Sequence, residues 1–174
     1  MKKFVALLRG INVGGNKKVP MIELKKVLEK NGLKNVKTIL NSGNVVFESD
    51  SNIRELQTVI SLAIEKAFGF QVPVLLRTHK EIEKLAAFNP FKEIKVTPKI
   101  RLYATFLLEK PKGRSFYISP DKSFKIISCL DKTVLSVLDM SFTNSPEVMG
   151  IIEKEYGKNV TTRNWNTILK IVNL

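Results

Sequence analysis

The stretch Val36-Lys37-Thr38-Ile39-Leu40-Asn41-Ser42-Gly43-Asn44-Val45-Val46-Phe47-Glu48 decides the fold. Two short β-rich runs, Val36–Leu40 and Val45–Glu48, flank an Asn/Ser/Gly/Asn sequence suited to a tight turn, so the stretch reads as a hairpin. Upstream, Pro20 sits where a first helical position would be. Met21, Leu24, Val27 and Leu28 share one face, and Asn31-Gly32 supplies the stop. Before that helix, Phe4–Arg9 is a compact apolar run that reads as a buried strand. Downstream, Asn52 with Glu55 makes a capping pair for a helix whose stripe is Ile53, Leu56, Ile60, Ala63, Ile64 and Ala67, closed by Gly69. Val72–Arg77 is a fourth strand. The order β-α-β-β-α-β within about eighty residues is the ferredoxin-like split βαβ pattern: an antiparallel sheet with helices on one face.

The remainder predicts a second, related α+β unit. Thr78-His79-Lys80-Glu81 is a capping box opening a short helix to about Phe88. Asn89-Pro90 and Pro98 then break the chain. Strands follow at Ile100–Leu108, Phe124–Leu130 and Thr133–Asp139, the last two joined by a tight turn at Asp131-Lys132. Helices at about Pro146–Tyr156 and Thr162–Val172 close the chain. The expected fold class is therefore α+β, with a ferredoxin-like subdomain over residues 1–78, a linking helix and boundary over 79–98, and a partial βββαα subdomain over 99–174. The helix that a full second repeat would place between Lys110 and Ser123 is missing or shrunken.

The 174 residues carry a formal net charge of +13 and are 44% hydrophobic, enough apolar mass for a real core. The charge invites a polyanionic partner. Against that, the Arg residues are only Arg9, Arg54, Arg77, Arg101, Arg114 and Arg163. The rest of the positive charge is scattered Lys, the usual composition of a solvated surface. Cys129 is the single cysteine, which leaves no intramolecular disulfide and no cysteine metal cluster. The apolar run after Met1 is too short for a signal sequence and no run approaches a membrane span, so a cytoplasmic protein without membrane contact is expected.

Topology gives the polar residues a place. In a split βαβ unit the exit from the first strand and the turn between the second and third strands lie at the same end of the sheet. The loop Gly10–Val19 and the turn Asn41–Asn44 are thus expected to be neighbours. Arg9, Asn12, Gly14, Gly15, Asn41, Ser42 and Asn44 would form one donor-rich rim, with looser anion binding by Arg9, Lys17, Lys18 and loop amides beside it, and with Asn and Gly serving the turns as the competing reading. Gly10 and Gly15 have phosphate-loop spacing, but position 16 is Asn rather than Lys, and Pro20 starts the helix too late for these glycines to sit at its N-terminus. The RNA-recognition variant of the fold needs exposed aromatics on the first and third strands; Phe4 and Phe47 read as core instead.

A second polar sequence, Thr161-Thr162-Arg163-Asn164-Trp165-Asn166-Thr167, begins the last expected helix. Trp165, Ile168, Leu169 and Val172 follow helical spacing, which puts Trp165 in the core. Arg163, Asn164 and Asn166 fall on the other faces of the first turn as candidate ligand donors, with Thr161 or Thr162 as N-cap. Catalytic candidates are weak. His79, the only histidine, reads as a solvated residue of a first helical turn. Cys129 reads as a buried inert thiol. The acids are dispersed, without metal-site spacing.

Three of these sequences together carry a resemblance. Ala6–Gly15 with Val19-Pro20-Met21 and Leu24, then Asn41–Phe47, then Thr161–Thr167, resemble the bacterial family known as domain of unknown function 1697, over nearly the whole chain. The resemblance implies two α+β subdomains with ferredoxin-like character and no established activity, substrate or cofactor. The chain departs from the family's usual pattern at 110–123 and at Asn41, where Gln is common.

Three functional readings follow. The first is a non-catalytic binding protein for a phosphate-bearing ligand or nucleic acid, using Arg9, Asn12, Gly14, Gly15, Lys17, Asn41, Ser42, Asn44, Arg163, Asn164 and Asn166. The second is an enzyme acting on a nucleotide or small phosphorylated substrate. In the third, the polar sequences are purely structural. No metal or cofactor is expected.

Overall fold

The structure is a computed structural model that describes residues 1–15, 17–111, 115–143 and 145–174. It is a mixed α+β chain with two antiparallel sheets. The chain divides into two compact units, residues 1–84 with 170–174, and residues 85–169.

In the first unit the elements run β1 (Lys2–Leu8), α1 (Met21–Lys30), β2 (Lys34–Ile39), β3 (Asn44–Ser49), α2 (Ile53–Phe68), β4 (Val74–Thr78) and α3 (His79–Phe88), whose last residues count with the second unit. The sheet order is β2-β3-β1-β4. Every neighbouring pair is antiparallel, with Phe4 opposite Phe47 and Ala6 opposite Leu76. The core gathers Phe4, Ala6 and Leu8 of β1 and Val45 and Phe47 of β3 with Leu24, Leu28, Leu56, Ile60 and Ile64 of the helices. Phe4 and Phe47 stack at 5.8 Å within it, so neither offers an open aromatic face for base stacking. Val5 and Leu7, on the other face of β1, are also fully buried. Burial on both faces explains why β1 reads as a continuous apolar run instead of an alternating one.

Helix ends follow the chemistry of their residues. Pro20 precedes α1 as its N-cap, one position earlier than the sequence suggests, and its carbonyl accepts the first helical bond from Leu24 N at 2.9 Å. At the other end Gly32 is left-handed at φ +91°. Gly32 N bonds Glu29 O at 3.1 Å and Leu33 N bonds Leu28 O at 3.2 Å, satisfying carbonyls that a helix end otherwise orphans. Asn52 Oδ1 caps α2 by accepting from Glu55 N at 3.0 Å. Ile53, expected on the buried stripe, is exposed. The box at Thr78 forms as its spacing requires: Glu81 Oε2 accepts from Thr78 N at 2.7 Å.

The second unit contains β5 (Ile100–Leu107), β6 (Tyr117–Ile118), β7 (Phe124–Leu130), β8 (Thr133–Asp139), α4 (Ser145–Tyr156), β9 (Val160–Asn164) and the start of α5 (Trp165–Val172). Its sheet order is β6-β7-β8-β5-β9. Leu107, Phe124, Ile126, Val134 and Leu138 pack there with Val148 and Ile152 of α4. Two strands were not foreseen. β6 has two residues, too few for any periodicity. It lies in the 110–123 stretch, part of which falls outside the described residues. β9 corrects the reading of Thr162–Arg163 as helix: Thr161 and Thr162 pair with Phe106 and Thr105 of β5. The β-branched run Val160-Thr161-Thr162 suits a pleated edge better than a helical turn, and the helix begins only at Trp165. Among the described residues no helix is long and apolar enough to cross a membrane.

Candidate functional site

The loop after β1 and the β2–β3 turn do meet. Leu8 N donates to Gly43 O at 2.8 Å, and Asn12 Nδ2 donates to Asn41 O at 2.8 Å. Asn12 is the knot of this cluster. Its Nδ2 also donates to Val19 O at 3.0 Å, and its Oδ1 accepts from Val19 N at 2.8 Å. One side chain thereby closes its own loop and ties it to the turn. Asn44 is buried, with Nδ2 donating to Ile39 O at 3.0 Å and Ser42 Oγ at 2.9 Å. Both amide hydrogens of Asn12 and of Asn44 are thus engaged by the chain itself.

The backbone shows why these residue types are needed. Gly10, Asn12, Gly14, Gly15 and Lys17 all have positive φ, the conformation that Gly and Asn adopt at least cost. Gly43 is constrained twice, by φ +73° and by space: a Cβ there would lie 2.7 Å from Leu8 Cβ and 2.8 Å from Ile11 Cδ1. Lys17 Nζ donates to Gln71 O at 3.0 Å and lies 5.8 Å from the Phe70 ring centroid, fastening the loop to the segment before β4. Arg9 is half-buried, and its backbone N donates to Pro73 O at 3.0 Å.

The C-terminal candidates separate into two environments. Arg163 is buried on β9, where its Nη1 donates to Thr161 Oγ1 at 2.8 Å and to Thr162 O at 2.9 Å. Burial pushes its guanidinium down to about 10, still cationic at neutral pH. Asn164 and Asn166 instead line an open cleft of about 670 Å³. Asn164 Oδ1 accepts from Asn166 N at 3.0 Å, which makes Asn164 the N-cap of α5. Trp165 forms part of the wall, 5% exposed and edge-on to Phe91 at 5.0 Å between centroids. Arg101 completes the lining, its Nη1 anchored on Pro98 O at 2.6 Å and Ile100 O at 3.1 Å. The first turn of α5 holds no acid, so its amide ends and dipole present an uncompensated positive pole. Reading the sequence missed Arg101, Asn89 and Thr97 as lining residues. Asn89-Pro90 and Pro98 signalled only a break, although such a break is what folds 89–101 back beside β9.

His79 is corrected by the structure. It is 4% exposed; Nδ1 lies 3.0 Å from Glu83 Oε1 and Nε2 3.1 Å from Ile171 O. Both ring nitrogens therefore have partners within the chain. The only histidine holds the end of α5 within the first unit. Cys129 lies near Tyr156 Oη at 3.9 Å, and burial pushes its thiol up, away from nucleophilic use. No cluster of His, Cys, Asp or Glu suited to a metal occurs among the described residues.

These features define an α+β protein of two antiparallel sheets, with a cleft of mixed polar and apolar lining beside the strand-to-helix junction of the second. The chain belongs to the family DUF1697, described as a protein of unknown function, which it matches over residues 1–122. Its fold is similar to that of the conserved bacterial protein SP0830 from Streptococcus pneumoniae, with a TM-score of 0.73 and 22% identity, covering 99% of this chain and 97% of that one. A comparison with curated proteins returns no match.

Proposed function

We propose that this is a non-catalytic, cytoplasmic binding protein for a phosphate-bearing ligand, with a nucleotide unit, free or within a nucleic-acid strand, as the preferred class. The cleft beside Asn164 and Asn166 carries the reading. Its volume, about 670 Å³, falls in the range of small-ligand sites. The amides of Asn164 and Asn166 suit the edge of a base, the Trp165–Phe91 wall suits its face, and Arg101 with the amide end of α5 suits a phosphate. The engagement of His79 with Glu83 and Ile171, and the raised Cys129 thiol, favour binding over catalysis. The net charge of +13 would speed the approach of an anion.

The first polar cluster takes a structural role in this account, because Asn12 and Asn44 spend their donors on the chain. The first unit retains its ferredoxin-like assignment, which the antiparallel order β2-β3-β1-β4 supports.

A thermal-shift screen of mononucleotides, followed by salt-titrated binding to short RNA and DNA, tests the reading. Stabilisation by one or more nucleotides that is lost in Arg101→Gln is expected. No stabilisation and no polymer binding at low salt, where counterion release is most favourable, contradicts it.

A further inference from the structure

Helix α2 carries two apolar faces. Leu56, Ile60, Ala63 and Ile64 bury the first in the core of its unit. The second points outward, where Val59 and Leu62 stay 37% and 60% exposed, at positions that a surface helix ordinarily gives to polar residues. Exposed Glu55 and Lys66 bracket this pair, one turn away on either side. The carboxylate of Glu55 and the ammonium of Lys66 take part in no ion pair among the described residues. Glu55, Val59, Leu62 and Lys66 follow one another at spacings of four, three and four residues, the seam of a short heptad stretch.

The order of these residues complements itself in one orientation. A two-fold axis crossing α2 between Ile60 and Ser61 sets Val59 of one copy opposite Leu62 of the next, and Glu55 opposite Lys66. Each contact then occurs twice, as an isologous interface requires. Parallel helices would instead set Glu55 on Glu55 and Lys66 on Lys66, and like charges reject that pairing. We propose that the outer face of α2 is a homodimer surface, covered by a second copy of this chain packed antiparallel. The apolar pair excludes water at the centre, and the charges at both ends fix direction and register. Helix faces of this length cover less than the roughly 1,200 Å² of a stable interface, so the dimer is transient, with Kd on the order of 10⁻⁴ M. The net charge of +13 on each copy opposes association until salt screens the repulsion. The surface uses none of the residues of the Asn164–Asn166 cleft, so either can fail without the other.

The test is sedimentation velocity of the intact protein from about 10 μM to about 1 mM, at roughly 0.15 M salt, where the Debye length is about 8 Å. A reversible rise of the average mass from monomer toward dimer is expected over that range. Leu62→Glu, Glu55→Lys and Lys66→Glu should each weaken association about tenfold or more. Glu55→Lys combined with Lys66→Glu should restore it, because the two charges exchange places across the axis. The helix dipole disfavours both charge reversals within each chain, so mass and not melting temperature is the readout. A protein that stays monomeric at every concentration, a dimer that survives Leu62→Glu, or a double variant that associates no better than the single ones overturns the proposal.

Discussion

The cluster around Asn12 and the cleft beside Asn166 use the same residue types to opposite ends. Both combine asparagine with an arginine and a change of backbone direction. In the first, the loop after β1 and the β2–β3 turn lie outside the paired strands, and Asn12 ties them through bonds to Val19 and Asn41. In the second, the strand β9 and the helix α5 satisfy the backbone themselves, apart from the cap bond to Asn164. The amide of Asn166 is therefore left at the surface of a cleft. An asparagine is structural or ligand-facing according to what its own backbone leaves unsatisfied, and composition alone does not distinguish the two.

Substitutions that separate stability from binding sharpen this contrast. Gly43→Ala should have the largest effect, destabilising by roughly 2–4 kcal/mol, because it adds both a left-handed strain and a clash with Leu8 and Ile11. Chemical denaturation measures it. Arg163→Ala should cost about 2–3 kcal/mol through lost packing and lost bonds to Thr161 and Thr162. It belongs on the structural side although it neighbours the cleft in sequence. Asn44→Ala should cost about 2 kcal/mol and Asn12→Ala about 1–2 kcal/mol, both with nucleotide affinity intact by calorimetry. A tenfold loss of affinity in Asn12→Ala at unchanged stability would reverse the assignment of the two regions.

Asn166→Ala should do the opposite, changing stability by no more than ~0.5 kcal/mol while weakening nucleotide binding about tenfold. The smallest effect concerns Cys129. Because burial holds its thiol above the ordinary range, its thiolate, the reacting form, is scarcer folded than unfolded at neutral pH. Alkylation should be slower in the native protein than in denaturant, and equal rates would contradict the partial burial of that thiol.

Much of this was legible from residues. The hairpin at 41–44, the caps at Asn52 and Thr78 and the stop at Gly32 all follow from local backbone chemistry, so short-range reasoning reached them. The meeting of the first loop with the hairpin turn followed from strand direction alone. What local reasoning missed depended on partners distant in sequence. β9 exists because β5 offers it an edge, and the Trp165 spacing made a helix begin too early. His79 is buried because Ile171, 92 residues away, returns to it. The cleft took its other wall from Asn89–Leu102, a stretch whose prolines announced only an interruption.

The account is tested most directly by mapping a saturating mononucleotide on the amide spectrum of the intact protein. Saturable shifts confined to 89–102 and 164–169, and needing about tenfold more ligand in Asn166→Ala, are predicted. Shifts centred on Arg9–Lys17 and Asn41–Asn44, or no saturable shift at all, would contradict it.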